Sequence, residues 1–345
     1  MNTARIKVIL INLGAIIVFF AGLYGLFYYY CIHMPGQSYQ GSLPGPDPQL
    51  RETNERLRGH VRELAEKIGE RNAWKPDNLL LAAQYIEDEL TALGFVPKSE
   101  AVNDKGDRNI LVDIYGSRYR DRIIVVGAHY DTVPMTPGAD DNASGVAGLL
   151  EIARAFRDKK PRITLRLAAF VNEEQPFFGG DQMGSLFNAR HSRERNENII
   201  GMYSLEMIGF YSDARRTQYY PRLVRRFYPR TGNFIAFVGN LMSRNFLHQS
   251  IASFRQLARF PSQGLVAPQL LVPDIRRSDN AAFWFHGFPA VMITDTSNFR
   301  NWNYHNIGDK FDTLDYARMA LVVEGLVGML EAVAEQQGSS ALVSR

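Results

Sequence analysis

A histidine and several carboxylates follow the most strand-like segment of this chain. The β-branched run Ile123–Val126 is typical of a buried parallel strand, and it ends at Gly127, where polar residues begin. The segments GAHYDTV and PGADDNASG then place His129, Asp131 and Asp141 beyond the carboxyl end of that strand. Ligands bind at this edge of open α/β sheets. The pattern therefore predicts a metal site.

Two further strand-like segments also end in acidic residues. The run Ile163–Val171 is followed by Glu173 and Glu174, and the run IIGMYSL is followed by Glu206. Of two adjacent carboxylates at a strand end, one can bind a metal while its neighbour acts as a general base. A late loop, NWNYHNIGD, offers a second histidine. The candidate metal ligands are His129, Asp141, Glu174, Glu206 and His305.

This ligand set indicates an open catalytic centre. Two histidines and three carboxylates without a thiolate suit zinc or manganese in a catalytic site rather than a closed structural one. Five ligands exceed what one catalytic zinc uses, so we expect one carboxylate to bridge two ions about 3.5–4 Å apart. Such pairs activate water for attack on a carbonyl or phosphoryl centre, which predicts a hydrolase.

The motifs HYD, GADDNASG, NEE and the late YH resemble those of the M28 zinc aminopeptidases, over roughly residues 57–330. The resemblance implies two Zn²⁺ per chain, with other divalent metals as alternatives, and Asp141 as the bridging ligand. His129 and Glu206 would complete one ion, and Glu174 and His305 the other. It also implies a three-layer α/β/α sandwich around a mostly parallel, mixed sheet.

The resemblance further implies a role for each side chain around the ions. Glu173 matches the general base, which takes a proton from water and later returns it to the leaving amine. Asp131 matches the carboxylate that orients His129. Tyr304 matches a tyrosine that steadies the tetrahedral oxyanion in some members. At Glu206 many members carry aspartate, and the longer side chain is expected to shift the ion.

Four other aspartates near these motifs are not assigned as ligands. We expect Asp140 to cap a helix or to form hydrogen bonds. Asp279, in RRSDNAAF, resembles a late element of the family and could equally be the N-cap of the helix that it opens. Asp309 and Asp312 are expected to shape the loop behind His305.

The amino-terminal segment predicts a membrane anchor. Val8–Tyr30 contains no charge, is long enough to cross a bilayer and ends in three tyrosines. This length favours an uncleaved signal anchor over a cleaved signal peptide. Because Arg5 and Lys7 precede the span, the positive-inside rule places the amino terminus in the cytoplasm. The catalytic domain would then lie outside, in a bacterial periplasm or cell envelope.

The rest of the chain reads as one large domain. We expect a cytoplasmic stub and anchor over residues 1–34, a Gly- and Pro-rich linker over 35–50 and the peptidase domain over 51–340. The net charge of +3, with no basic stripe, argues against nucleic acid as a partner. The oligomeric state is left open.

Alternating strand and helix patterns predict a largely parallel sheet with helices on both faces. The predicted strands are 109–115, 122–128, 163–171, 199–205, 233–238 and 290–294. The predicted helices are 51–69, 78–93, 146–156, 181–190, 241–257 and 314–335.

An insertion rich in Arg and Tyr, Phe210–Asn233, leaves the predicted site after Glu206. Its arginines could meet a substrate carboxylate and its tyrosines could stack on substrate side chains. Alternatively, the insertion is an exposed loop or faces lipid headgroups near the anchor.

The leading hypothesis is a membrane-anchored di-zinc aminopeptidase that removes N-terminal residues from peptides. A glutaminyl cyclase of the same fold, with one zinc, is the first alternative. A carboxypeptidase of the same family is the second, because the ligands do not fix which peptide end is recognised. A non-catalytic, receptor-like ectodomain is the third. The preferred residue at the cleaved position is left open.

Overall fold

Eight strands form one mixed sheet in the computed structural model of the chain, which describes residues 3–45 and 47–340. The strand order is β1-β2-β4-β3-β5-β8-β6-β7. The strands are β1 Lys98–Ala101, β2 Arg108–Ile114, β3 Tyr119–His129, β4 Ile163–Phe170, β5 Asn198–Glu206, β6 Ile235–Gly239, β7 Ser262–Val266 and β8 Ala290–Thr294. The sheet confirms the predicted α/β class.

Helices cover both faces of this sheet. They are α2 Pro48–Arg62, α3 Pro76–Ala92, α4 Gly145–Phe156, α5 Gly184–Glu194, α6 Arg244–Leu257, α7 Asn280–Phe285 and α8 Tyr316–Ser340, whereas α1 Thr3–Phe27 is an exposed helix at the amino terminus. Alternate residues of β3 point to opposite faces, so Ile124 and Val126 join one hydrophobic cluster while Ile123 and Val125 join the other. The first cluster includes α2, α3, α4, α6 and α8, and the second includes α5 and α7. Three layers result, as expected.

The parallel centre of the sheet fixes the position of the site. β3 pairs in parallel with β4 and with β5, and β5 pairs in parallel with β8. Their carboxyl ends therefore meet at one edge, which is where parallel α/β sheets place their ligands. On the other side of β8 the strand direction changes, since β6 is antiparallel to β8.

Two strands and one helix were not predicted. β1 is a polar, four-residue edge strand, and β7 has a glycine at its centre, so neither carries the apolar alternation that marks a strand. For the short helix α7, the sequence indicated only a possible start at Asp279. Several predicted helix ends shift by a few residues: α5 begins at Gly184, α6 at Arg244 and α8 at Tyr316. Helix ends carry the weakest sequence signals.

The predicted apolar helix is present at the amino terminus. α1 continues into a wider turn, Tyr28–Ile32, and the segment Leu10–Ile32 is long and apolar enough to cross a membrane. Its large side chains are exposed, as at Val18 and Phe19, which are 72% and 62% accessible. Length and composition alone support a span here. Residues 1 and 2 of the predicted stub lie outside the described residues.

The predicted linker is packed against the domain rather than free. Arg255 of α6 donates hydrogen bonds to the carbonyls of Pro35 and Gly36, both at 3.0 Å. α2 begins at Pro48, inside the predicted linker, because the Asp47 side chain accepts the N–H of Leu50 and caps the helix. Pro46 of this linker lies outside the described residues. The predicted boundary at residue 51 therefore falls within the first helix of the domain.

Candidate metal centre

All five candidate ligands lie at the carboxyl edge of the parallel strands. Two of them end strands, and three stand on the loops that follow. His129 is the last residue of β3, Glu206 the last of β5, Glu174 follows β4, Asp141 follows β3 in the turn Ala139–Ser144, and His305 follows β8. The sheet thus brings together residues that are up to 176 positions apart in the chain, from His129 to His305.

The Asp141 carboxylate stands between the two imidazoles. Its Oδ1 lies 3.2 Å from Nε2 of His129, and its Oδ2 lies 3.1 Å from Nε2 of His305. Glu206 Oε2 is 3.4 Å from the same nitrogen of His129, and Glu174 Oε1 is 3.3 Å from that of His305. Two clusters result, and each contains one oxygen of Asp141.

These separations fit zinc coordination. Tetrahedral zinc with N and O ligands at about 2.0–2.2 Å holds its ligand atoms about 3.3 Å apart. His129, Asp141 and Glu174 are buried, with one ligand atom from each within 4.8 Å of the others. Oδ1 of Asp141 is buried and receives no hydrogen bond. A cation would satisfy that oxygen, so the donor set fits the metal that the sequence predicts.

The unbalanced charges of the cluster shift several pKa values. Burial lowers the pKa of His305, but hydrogen bonds to Asp141 and Glu174 outweigh it and raise that pKa to about 10. Burial also opposes protonation of His129, yet the surrounding carboxylates raise its pKa well above the usual range. Burial and the charge of Asp141 raise the pKa of Glu174 to about 7. In the protein without metal, both imidazoles are therefore doubly protonated and positively charged near neutral pH.

Glu173, the predicted base, is buried beside the cluster that His129 and Glu206 form with Asp141. Its Oε2 lies 4.0 Å from Nε2 of His129, and its Oε1 receives no hydrogen bond. Burial raises the pKa of Glu173 well above the usual range, and the charges of Glu174 and Glu206 raise it further, although His129 opposes them. A carboxylate with a raised pKa can both accept and return a proton.

Asp131 connects the imidazole of His129 with the acidic loop. Its Oδ1 lies 3.4 Å from Nδ1 of His129, a position consistent with the predicted orienting role. The same carboxylate accepts the backbone N–H groups of Glu173 and Glu174, each at 3.0 Å. One side chain therefore sets the positions of a histidine, a metal-ligand candidate and the candidate base.

Backbone contacts fix the loop that carries Asp141. The Asp309 carboxylate accepts the N–H of Asp140 at 2.8 Å and that of Asp141 at 3.1 Å. Asp140 itself accepts the N–H of Gly209 at 3.0 Å and the side-chain amide of Asn301 at 2.8 Å. Asp140 thus forms hydrogen bonds, as expected, and Asp309 fixes the backbone at Asp141.

Asn142 joins the same loop to the end of β5. Its side-chain amide donates to the Leu205 carbonyl at 2.8 Å, and its Oδ1 accepts the N–H groups of Gly145 and Met207. Leu205 and Met207 flank Glu206. Because Asn142 is next to Asp141, these hydrogen bonds couple the position of Asp141 to that of Glu206.

Of the two interpretations of Asp279, a late family element or a helix N-cap, the structure does not support the cap. Asp279 precedes α7, but its side chain forms no cap, and both carboxylate oxygens are buried without a donor. Burial raises its pKa to about 7. The neighbouring Ser278 has a clear role, because its hydroxyl donates to Oε2 of Glu206 at 2.7 Å. Asp312 is exposed, on the short turn Phe311–Thr313.

Arg71 is a structural residue of the site that sequence reasoning missed. Its side chain is completely buried and donates to the carbonyls of Tyr130, Pro137 and Gly138 at 2.7–2.8 Å. These carbonyls belong to the loop between His129 and Asp141. Nothing in the local segment GERNAW distinguishes this arginine from a surface residue, because its partners are backbone atoms that are remote in sequence.

Tyr304 and His305 form a stacked pair. Their ring centroids are 3.7 Å apart, and His305 adopts a left-handed backbone with φ of 55°. Non-glycine residues are held in this region where the surrounding structure requires it, commonly at functional sites. Arg277 donates to the Tyr304 hydroxyl at 3.2 Å. Burial raises the pKa of Tyr304, so the phenol stays protonated and can donate a hydrogen bond.

An apolar pocket opens beside Glu206. It lies between β6, β8 and the insertion Phe210–Asn233. Its apolar wall includes Val224, Phe234, Ala236, Val238 and Met292. Arg277 and Thr296 also line it. The insertion therefore contributes side chains to the cavity next to Glu206, a candidate metal ligand.

Comparisons with known proteins agree with this geometry. The model of peptidase family M28 matches residues 109–329. The uncharacterized protein YfbL of Escherichia coli is 39% identical over 80% of this chain and 87% of its own length. A probable zinc metalloprotease of Leptosphaeria maculans is 27% identical over 67% of this chain and 58% of its own length.

Solved structures share the fold at low sequence identity. A zinc aminopeptidase from Bacillus subtilis has a TM-score of 0.62 at 14% identity, covering 84% of this chain and 96% of its own. A glutaminyl cyclase from Bacteroides thetaiotaomicron has a TM-score of 0.60 at 16% identity, covering 84% of this chain and 99% of its own. Both support the three-layer fold.

We predict that zinc binding releases about two to three protons per chain near neutral pH. Both imidazoles are protonated and must become neutral to bind, and Glu174, with its pKa at about 7, is partly protonated as well. With the pKa of His305 at about 10, the apparent zinc affinity should rise with pH up to that value. Calorimetry in buffers of different ionisation enthalpy measures the release. His305→Ala should release one proton fewer, and His191→Ala, which alters a histidine outside the cluster, should change nothing. A buffer-independent heat would contradict this account.

Proposed function

The chain belongs to peptidase family M28, and we propose that it is a di-zinc aminopeptidase anchored in a membrane by α1. As a member of this family it is a hydrolase of the zinc metallopeptidase class, acting on peptides. The expectation of an enzyme is therefore confirmed, and the alternative of a non-catalytic ectodomain is set aside. The metal count, the peptide end and the anchor are our proposals.

The observation that carries the proposal is the position of Asp141 between two separate clusters. One oxygen of its carboxylate faces His129 and Glu206, and the other faces His305 and Glu174. A carboxylate in this position would bridge two ions, with two further protein ligands on each. Each ion would then have three protein ligands, counting Asp141, which is the number found in catalytic zinc sites with an open position for water or substrate.

Zinc bound here would polarise the scissile carbonyl and lower the pKa of a water molecule. Glu173 would accept the proton of that water and deliver it to the departing amine, for which its raised pKa is suited. Asp131 would keep His129 in the orientation that presents Nε2 to the metal. Tyr304, protonated and next to His305, would donate a hydrogen bond to the developing oxyanion.

The acidic character of the site favours the amino end of a peptide. Glu173 and Asp279 are buried carboxylates beyond the proposed ligands, and a positively charged α-ammonium would be attracted to them. A carboxypeptidase needs a free cation for the terminal carboxylate. Arg277 is the arginine that lines the pocket, and it already lies 3.6 Å from Asp274 and bonds to Tyr304. This pairing argues against a carboxypeptidase.

A glutaminyl cyclase is the second candidate, because one solved structure of similar fold carries that name. Cyclisation needs one zinc to polarise the side-chain amide of an N-terminal glutamine. The cluster of His305, Glu174 and one oxygen of Asp141 would have no function in that reaction. The paired arrangement therefore supports hydrolysis.

The proposed anchor follows from the exposure and composition of Leu10–Ile32. An apolar helix without protein contacts along most of its length is unfavourable in water and suited to a bilayer. With Arg5 and Lys7 on the cytoplasmic side, the peptidase domain would lie in the periplasm or cell envelope.

Replacing the base tests the mechanism. We expect Glu173→Gln to keep the wild-type zinc content, because Glu173 is not a proposed ligand, and to reduce kcat by about 10²–10⁴-fold. Amino acid release from a mixed panel of peptides measures the activity. Peptides with an acetylated amino end should resist cleavage by the wild type. Near-normal turnover of the variant would show that the base is misassigned, and cleavage of acetylated peptides would rule out an aminopeptidase.

The pocket predicts a preference for apolar N-terminal residues, since its wall is apolar and a methylene group there is worth about 10–200-fold in kcat/KM. Two reciprocal variants test this. Ala236→Val narrows the pocket and should lower kcat/KM for N-terminal leucine relative to alanine. Val238→Ala widens it and should shift the ratio in the opposite direction. If both variants keep the wild-type ratio of kcat/KM for leucine to that for alanine, the N-terminal side chain of the substrate binds elsewhere.

A further inference from the structure

The insertion that lines the pocket also contacts the anchor helix. The Phe227 ring lies 5.7 Å from that of Tyr24, 6.0 Å from Phe27 and 6.1 Å from Tyr28. Tyr24 precedes Ile32, the last residue of the apolar span, by eight residues, or about 12 Å of helix rise. If the span crosses a bilayer, as proposed above, Phe227 lies at the depth of the lipid headgroups and the upper acyl chains.

The domain is fastened to the anchor so that this depth is fixed. Arg244 of α6 donates to the Tyr30 carbonyl at 3.2 Å, and Arg255 holds the carbonyl groups that follow. Met34 packs against β7 where Gly264 leaves room, since a Cβ on that glycine would lie 2.7 Å from Cγ of Met34. The insertion cannot retreat from the membrane without breaking these contacts.

The outer face of the insertion is basic and unpaired. Among residues 3–45 and 47–340, no carboxylate forms an ion pair with Arg222, Arg225, Arg226 or Arg230, and all four side chains are exposed. Leu223, between them, is 47% exposed. These arginines stand beside the apolar Leu223 and the aromatic Phe227, which lies at headgroup depth. Such a combination suits binding to a membrane surface of anionic lipids.

The inner face of the same segment lines the substrate pocket. Val224 is 1% exposed and borders the cavity together with Tyr220 and Tyr228. The rings of Tyr220 and Tyr228 stack at 5.5 Å, and the Tyr228 hydroxyl donates to the Gly264 carbonyl at 2.6 Å. One short segment thus has the pocket on one side and the proposed membrane surface on the other.

We propose that the segment 222–230, here called the basic segment, binds the phosphate groups of anionic phospholipids and so seats the wall of the substrate pocket on the membrane. This inference rests on the proposed anchor. It favours the alternative that the insertion faces lipid headgroups over a contact between its arginines and a substrate carboxylate. Arg277 lines the cavity, but none of these four arginines does. Peptides at the membrane surface would then be the substrates with the shortest path to the pocket.

Trypsin cleavage of the full chain in lipid nanodiscs tests the proposal. The protein is placed in discs of pure phosphatidylcholine and in discs of equal parts phosphatidylcholine and phosphatidylglycerol. We expect cleavage after Arg222, Arg225 and Arg226 to slow by about tenfold in the anionic discs, relative to cleavage after Lys105. Lys105 is exposed in the turn between β1 and β2, at the sheet edge opposite to the anchor.

Two soluble competitors separate a lipid surface from other anions. Glycerol phosphate and an acidic peptide, each added to the phosphatidylcholine discs, should give no protection. Protection by glycerol phosphate would make the basic segment a site for free phosphate, and protection by the peptide would make it a substrate contact. Either result overturns the proposal.

A matched pair of charge reversals completes the test. Arg226→Glu should abolish the protection of Arg222 in anionic discs. Lys160→Glu, which reverses another exposed charge and leaves Lys105 as the reference cleavage site, should preserve it. Equal cleavage of the wild type in both kinds of disc, with the chain still bound to them, would refute the basic segment as a lipid site and leave the anchor intact. A chain that does not remain with the discs would refute the anchor and this inference with it.

Discussion

The Asp141 carboxylate, shared between two imidazoles, is the constraint on which the rest of the site depends. Its two oxygens lie 3.1–3.2 Å from the nitrogens of His129 and His305, which come from distant parts of the chain. A shift of one ångström would break one of these contacts. Asp309 and Asn142 hold the backbone on either side of Asp141, and Arg71 holds the loop before it. The surrounding polar network therefore maintains the position of a single side chain.

The charge of this cluster explains why its support is so extensive. Buried carboxylates repel one another and are unstable without cations, as the raised pKa values of Glu173 and Glu174 indicate. Backbone amides, hydroxyls and imidazoles fix many of these oxygens, whereas Oδ1 of Asp141 and Oε1 of Glu173 are left without a hydrogen bond. The folded domain supplies this network before metal binds, and bound zinc would supply the missing positive charge.

Much of the site could be predicted because parallel strands place their carboxyl ends at one edge. His129, Glu174 and Glu206 are at or just beyond strands with strong β-branched patterns, so their proximity follows from the order of the sheet. His305 and Asp141 lie on loops, and only the family resemblance indicated their partners. Their assignment as ligands remains a prediction that the geometry supports.

Other features depend on contacts that no local pattern encodes. Arg71 bonds to remote carbonyl groups, and Asp279 is buried without the cap that its position before a helix favours. The Gly- and Pro-rich segment reads as a linker, yet Arg255 of α6 bonds to its carbonyl groups and to Ser262 of β7. The sequence places the insertion after a candidate ligand, but only the fold shows that Phe227 contacts the anchor while Val224 lines the pocket. Tertiary packing decides each of these cases.

The zinc content of the purified full chain, measured together with the products from peptides with N-terminal glutamine and leucine, tests the central claim most directly. If Asp141 bridges two ions, the protein holds two zinc ions per chain and releases free amino acids from both peptides. One zinc ion per chain, with conversion of the glutamine peptide to its cyclised form and no release of leucine, would contradict the account.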